Sequence, residues 1–291
     1  MSLHPALAAG RAAVVTGAAS GIGLAAAGKL AELGMKLCLA DVDAAALARA
    51  EAEIARRAGR PGDVIAVVAD VSRREHVQRL KDRAYEAFGA VAFLMNNAGV
   101  EGGGALLGDP ARWRAILDVN LWGVVHGVQI FAPAMIAQGT PGAIVCTGSK
   151  QGITCPPGET AYNVSKAGVK VVAEALAHEL RNIEGCAVTA HLLIPGFTFT
   201  GFTRVHVAQK PAAAWTPEQV IDFMLPAMAA GDFYILCPDN DVTRALDERR
   251  ILWAAQDVIL NRPALSRWHP DFSQAFAEFA AGGRQGAPLS D

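Results

Sequence analysis

The stretch Ala12-Ala13-Val14-Val15-Thr16-Gly17-Ala18-Ala19-Ser20-Gly21-Ile22-Gly23-Leu24 holds the change of period on which the fold turns. A compact apolar run over residues 12–16 passes at once into a glycine-rich turn. Ile22, Ala26, Leu30 and Leu33 then recur at helical spacing, and Gly34 closes the helix. Glycines so placed let the backbone turn tightly and approach a pyrophosphate, whose charge sits well against the free N–H groups of a helix N-terminus. A triad of glycines also makes an ordinary tight turn; its position between strand and helix favours the phosphate reading.

The same alternation continues outward. Lys36 to Ala40 reads as a second strand ending at Asp41, with Asp43 capping a helix to about Ala58. Val64 to Ala69 is a third strand ending at Asp70. Ser72 and Glu75 have capping-box spacing, ahead of Val77, Leu80, Ala84 and Phe88 on one helical face that Gly89 terminates. Val91 to Met95, Ala143 to Thr147, Ala187 to Ile194 and Phe233 to Cys237 read as four more strands. Between them lie a helix opened by Asp109-Pro110 and another over Tyr162 to about Asn182. Strands apolar on both faces that alternate with helices predict a parallel seven-stranded, doubly wound α/β sheet with helices on both faces. Ligands of such sheets bind beyond the carboxyl ends of the strands.

Residues 11–239 form this expected core of a single domain spanning 1–291. Two segments depart from the pattern. A loop over 197–216 precedes a helix capped by Thr216-Pro217, and a helical C-terminal extension over 240–291 carries Trp253, Trp268, Phe272, Phe276 and Phe279. That aromatic stripe is expected to cover the pocket, dock on a partner subunit, or do both. Arg244, Arg249 and Arg250 read as a solvated helix face, and residues 282–291 as a disordered tail.

Composition narrows the function classes. The 291 residues are 52% hydrophobic and 19% charged with a formal net charge of −2, so no basic field gathers nucleic acid or acidic lipid. The most apolar stretch, Val124 to Ala137, is interrupted by His126, Gln129 and Pro133 and falls short of the ~20 residues of a membrane span. With no signal-peptide pattern at the N-terminus, the expectation is a cytoplasmic, soluble protein. The five cysteines, Cys38, Cys146, Cys155, Cys186 and Cys237, lack CxxC spacing and read as free thiols; no metal site is expected.

Candidate site residues cluster at strand ends. Asp41 lies 24 residues beyond Gly17, where a carboxylate would accept from both adenosine ribose hydroxyls and repel a 2′-phosphate, which favours NAD over NADP. A strand-end turn is the alternative. Asp70 either bonds an adenine amino group, with Val71 near the ring, or is a turn aspartate. In Asn96-Asn97-Ala98-Gly99, amides can bridge strands and a bound cofactor while Gly99 leaves room for a ribose.

Tyr162 and Lys166 are i and i+4 on a helix, and Ser149 stands 13 positions before the tyrosine. An ammonium this close is expected to lower the phenol pKa, fitting Tyr162 to exchange a proton with an alcohol or carbonyl oxygen that Ser149 holds. Lys166 could also bind the nicotinamide ribose.

Residues 16–23, 96–99, Ser149 and Tyr162 with Lys166 have the order and spacing of a short-chain dehydrogenase/reductase, and the sequence resembles that family over roughly residues 11–239. The resemblance implies a Rossmann-type fold and NAD-dependent hydride transfer at a secondary alcohol or ketone. It implies a role for Asn120, whose amide would kink the long helix and hold a water in the proton path. Pro195-Gly196 would turn beside the nicotinamide, with Thr198 or Thr200 bonding its carboxamide; two threonines in Phe197-Thr198-Phe199-Thr200 depart from the pattern. Lys150 departs as well, and would either narrow the pocket or point outward. Phe197, Phe199, Phe202, Val205, Trp215 and Cys155-Pro156-Pro157 suggest an apolar, aromatic or alicyclic small-molecule substrate, unless they pack as ordinary core. Relatives form homodimers or homotetramers. An epimerase or dehydratase would have a differently spaced glycine loop and a larger C-terminal domain, and a silent dinucleotide sensor or scaffold would not need the Ser149, Tyr162, Lys166 and Asn120 set.

Overall fold

The computed structural model describes residues 3–102, 104–201 and 209–282. Seven parallel strands form one sheet in the order β3-β2-β1-β4-β5-β6-β7: β1 Ala12–Thr16, β2 Lys36–Asp41, β3 Val64–Val68, β4 Phe93–Asn96, β5 Gly142–Thr147, β6 Val188–Ile194 and β7 Tyr234–Leu236. The order reverses between β1 and β4, which opens a crevice at their carboxyl ends.

Helices α1 Gly21–Glu32, α2 Ala44–Ala55, α3 Arg74–Phe88, α4 Pro110–Leu117, α5 Gly123–Ala137, α6 Gln151–Thr154, α7 Thr160–Arg181 and α8 Pro217–Ala230 surround the sheet. The alternation of side chains along each strand divides the core in two. Val15, Leu39, Met95 and Val145 face Ala26 and Leu30 of α1 and Met224 of α8. Val14, Cys38, Leu94 and Ile144 face Leu80 of α3, Phe131 of α5 and Val169 of α7. Both faces are dry, hence the continuous apolar strands.

Several boundaries differ from the sequence reading. The α3 helix has no capping box: Ser72 donates through its hydroxyl (2.7 Å) and its backbone N–H (3.0 Å) to Asp70 Oδ1, the nearer acceptor, and Arg73 stands at the N-cap. The α2 helix stops at Ala55, three residues early, ahead of Gly59 and Pro61. The β4 strand begins at Phe93 because its ladder to β1 opens at Ala13↔Phe93. Asp43 and Asp109 do cap their helices, accepting from Ala46 and Ala111 N–H, and Thr216 with Gln219 closes a full capping box on α8.

The helix opened by Pro110 runs on past Val124, through a π-helical turn at Asp118–Trp122, to Ala137. Its 28 residues are long and apolar enough to cross a membrane by length and composition, unlike the shorter stretch read from the sequence; 44% of its apolar window is buried in the fold. In the C-terminal extension, α9 Arg244–Ile259 and α10 Ser273–Ala280 pack through Trp253, whose ring lies 5.3 Å from those of Phe276 and Phe279 and carries the Arg262 guanidinium at 3.9 Å. The arginines of α9 are not one solvated face. Arg244 pairs with Glu248 at the surface, but Arg249 donates to Ala280 O and Arg250 faces Asp247. Residues 283–291, read as a tail, lie outside the described residues.

Candidate active site

The carboxyl ends of β1 and β4 are pinned by Thr16, a residue the sequence reading left without a role. Its hydroxyl accepts from the N–H groups of Asn97 (2.9 Å) and Ala98 (3.1 Å) and donates to Met95 O (3.2 Å). The Asn97 amide donates to Thr16 O at 3.0 Å and receives the Thr147 hydroxyl of β5 at 3.4 Å, so one side chain laces three strands.

Around this seam lies a cleft of about 720 Å³. Gly17, Ser20, Gly21, Ile22, Asp41, Asp70, Val71, Asn97, Ala98, Gly99, Ser149, Tyr162, Lys166, Pro195, Gly196 and Thr198 all line it. Gly17 has φ +66, and a Cβ there would fall 2.8 Å from Ala98 Cα. Gly23 is a correction: it does not line the cleft, and a Cβ on it would overlap Gly17 O, so its part is to seat α1 under the turn. Ser20 at the α1 N-cap makes no side-chain capping bond, which leaves the first turn's donors facing the cleft.

Asp41 is a strand-end turn residue that also faces the cleft. Its carboxylate accepts from Ala19 N–H (3.0 Å) and Asp43 N–H (3.1 Å), stiffening the glycine turn, and it lines the cleft. Asp70 likewise holds Ser72 while lining the cleft. A glycine floor that a Cβ would fill, an open helix terminus and an acid at the β2 end together fit a dinucleotide.

At the other end, the side chains of Ser149 and Tyr162 stand together in the cleft, with the serine near enough to lower the phenol pKa. Lys166 Nζ lies 5.7 Å from the Tyr162 ring centroid and donates to Thr147 O at 2.8 Å. The expected lowering of the phenol pKa is not found. Burial pushes Tyr162 up to about 12, the nearby Ser149 hydroxyl pulls it down, and the negative field of Glu101 pushes it further up. Burial also brings Lys166 down to about 8, against the opposing pull of Cys146 and Glu101. In both groups desolvation is the largest cause of the shift.

Asn120 stands behind the cleft rather than in it. Fully buried in the π-turn, its Oδ1 accepts from Val100 N–H (2.7 Å), and its Nδ2 donates to Val100 O (2.8 Å) and Ser165 Oγ (3.1 Å). Both amide hydrogens are thus spent on protein rather than on a water. This reciprocal pairing with the strand-end loop accompanies the break in helical register.

The apolar segments assigned to substrate are only partly there. Phe197 lines the cleft. Phe199 and Trp215 are joined through the backbone (Phe199 N–H to Trp215 O, 2.8 Å), and the Trp215 ring packs 5.9 Å from Phe223, which is the core reading. Cys155, Pro156 and Pro157 do not line the cleft, and Phe202 and Val205 lie outside the described residues. The sequence reading missed Glu101, Gln151 and Glu159, which line the cleft with Val100. Gln151 and Glu159 lie within three residues of Ser149 and Tyr162, and Glu101 within two of Gly99, which was the available signal. Thr198, buried, donates to Gly196 O at 3.2 Å, and Thr200 stands over Gly21.

The short chain dehydrogenase family matches residues 11–211. A crystal structure of a short chain dehydrogenase/reductase from Burkholderia phymatum in complex with NAD is 38% identical, with a TM-score of 0.78 over 88% of this chain and 96% of that one. The 1-deoxy-11-beta-hydroxypentalenate dehydrogenase of Streptomyces exfoliatus is 35% identical over 84% of this chain and 88% of its own length. The 3-oxoacyl-[acyl-carrier-protein] reductase FabG of Thermotoga maritima is 34% identical over 67% and 76% respectively. With the family matched over residues 11–211 and relatives above 30% identity over most of their length, the chain belongs to the short-chain dehydrogenase/reductase family.

Proposed function

We propose that this protein is an NAD-dependent oxidoreductase that interconverts a secondary alcohol and its ketone, with Tyr162 as acid and base. The observation that carries this reading is that Ser149 and Tyr162, with the Lys166 ammonium over the phenol ring, share one cleft with the glycine turn. NAD, when bound, supplies the nicotinamide carbon that accepts or returns a hydride.

The residues of the chain divide the remaining work. Gly17, Ser20, Gly21 and Ile22 hold the pyrophosphate, Asp41 the adenosine ribose, and Asp70 and Val71 the adenine edge. Asn97, Ala98 and Gly99 flank the second ribose with Lys166, and Pro195, Gly196 and Thr198 face the nicotinamide. Ser149 donates to the substrate oxygen and orients it toward the phenol. Tyr162, protonated at neutral pH because burial raises its pKa to about 12, gives its proton to a ketone oxygen in reduction. Lys166 keeps positive charge beside the phenol and limits the cost of forming tyrosinate in the reverse direction.

The substrate itself is read from the walls. Val100 and Phe197 offer apolar contact, while Glu101 and Glu159 place carboxylates in the same cleft. An uncharged, largely apolar alicyclic or aromatic ketone fits this lining better than an acid, whose carboxylate the two glutamates would repel. Incubation with NADH and a panel of cyclic ketones, in wild type and Tyr162→Phe, tests the assignment. The variant is expected to bind NADH and to lose turnover by at least about a thousandfold. Turnover within tenfold of wild type would remove Tyr162 from the proton path.

A further inference from the structure

Lys150 follows Ser149 directly and lines the cleft, with its ammonium turned to the protein rather than to solvent. It is held between two carboxylates of the C-terminal region: Asp247 Oδ2 at 2.5 Å on α9, and Asp239 Oδ2 at 3.3 Å just beyond β7. The lysine side chain is 15% exposed and both aspartates are 6% exposed. Asp239 Oδ2 also accepts from the backbone N–H of Phe197 at 3.3 Å. Gly196 packs so closely that a Cβ on it would sit 2.7 Å from that same oxygen and 2.9 Å from Lys150 Nζ. The other oxygen, Asp239 Oδ1, accepts from Val242 N–H at 2.8 Å, which anchors the approach to α9.

One cation thus joins four pieces: the end of β5 that bears Ser149, the Pro195–Phe197 turn after β6, the chain after β7, and the first helix of the extension. Two buried carboxylates held this close require it, since burial and Asp239 raise the Asp247 carboxyl while Lys150, with Arg250 behind it, lowers it. No residue of the extension itself lines the cleft among the described residues; its first helix meets the site's back wall through this ion pair and by packing on α6, which carries Gln151.

We propose that Lys150 is a positioning residue that locks the Pro195–Phe197 turn and the α9 helix against the Ser149 strand end, setting where the nicotinamide end of the cofactor rests. The inference builds on the NAD-dependent reading. It predicts that the C-terminal extension acts on the reaction at a distance, through a buried ion pair.

The test compares Lys150→Met, Lys150→Arg and Asp247→Asn with wild type, in the full-length protein. NADH affinity is read by fluorescence titration, and the hydride step by the isotope effect with 4-deuterated NADH. Lys150→Met and Asp247→Asn are expected to weaken NADH binding about tenfold, slow kcat by about a hundredfold, and raise the isotope effect as hydride transfer becomes limiting. Lys150→Arg, which can span the same two carboxylates, is expected to stay within about threefold of wild type. If Lys150→Met does not fold, Asp247→Asn carries the comparison, because it removes one carboxylate and adds no unpaired charge. Wild-type NADH affinity, kcat and isotope effect in either folded variant would overturn the proposal and leave the oxidoreductase reading intact. Failure of wild type to bind NADH would overturn that reading and this proposal together.

Discussion

The buried histidine pair beneath the sheet makes a prediction about acid stability that can be worked out in detail. His4 Nδ1 accepts from Ala6 N–H at 3.1 Å, so its proton is on Nε2, which donates to Thr189 Oγ1 at 3.2 Å. The threonine hydroxyl can in turn donate to His191 Nε2 at 3.0 Å, and His191 Nδ1 donates to Asp232 O at 2.7 Å. Every ring nitrogen is satisfied with both imidazoles neutral, and a proton added to either ring breaks a bond in the chain. Burial first, then His191 and Arg11, lower His4 from its usual 6.5 to about 4.

The unfolded chain therefore binds the extra proton at higher pH than the folded one. The stabilising difference is intact above pH 6.5 and drains away as the pH falls toward 4. At pH 4.5 the loss from this group alone is on the order of 2–3 kcal/mol. The perturbation is His4→Asn, whose side-chain oxygen can still accept from Ala6 N–H and does not titrate. Urea unfolding at pH 7.5 and 4.5 is the assay. Wild type is expected to lose roughly 2–3 kcal/mol more than the variant between the two pH values, with His191, also lowered by burial, adding to the decline in both. Equal losses in the two proteins would refute the neutral-chain argument.

Three further outcomes follow from the site. Gly23→Ala drives a methyl into Gly17 O, so it is expected to weaken NADH binding at least about tenfold by lifting α1 from the turn, measured by fluorescence titration. Asn120→Ala leaves the Val100 N–H and C=O without partners inside the protein and is expected to cost about 1–3 kcal/mol for each group, read as a fall in the urea midpoint together with reduced kcat. Asp41→Ala removes the charge that repels a 2′-phosphate, so the NADPH to NADH ratio of kcat/KM is expected to rise at least about tenfold, an effect of about 1.4 kcal/mol; an unchanged ratio would assign Asp41 to the turn alone.

What could be read before folding was periodicity and strand-end chemistry. Apolar runs such as Val14-Val15 and Leu37-Cys38-Leu39 are buried on both faces, so continuous hydrophobicity identifies parallel strands without reference to their partners. Tyr162 and Lys166 need only helical geometry to share a side, and glycines between a strand and a helix mean the same thing in any chain of this class. These are local relations, carried by spacing along a single segment.

The contacts across segments could not be read in this way. Lys150 is separated by 89 positions from Asp239, and nothing about a lysine after a serine says which carboxylate will meet it. Trp215 was an equal candidate for pocket or core until Phe223 came to lie against it. The phenol of Tyr162 shows the limit most clearly. The neighbouring ammonium is visible at four residues' distance, but the desolvation that raises the phenol pKa is imposed by every strand and helix closing around the site, and so exists only in the folded protein.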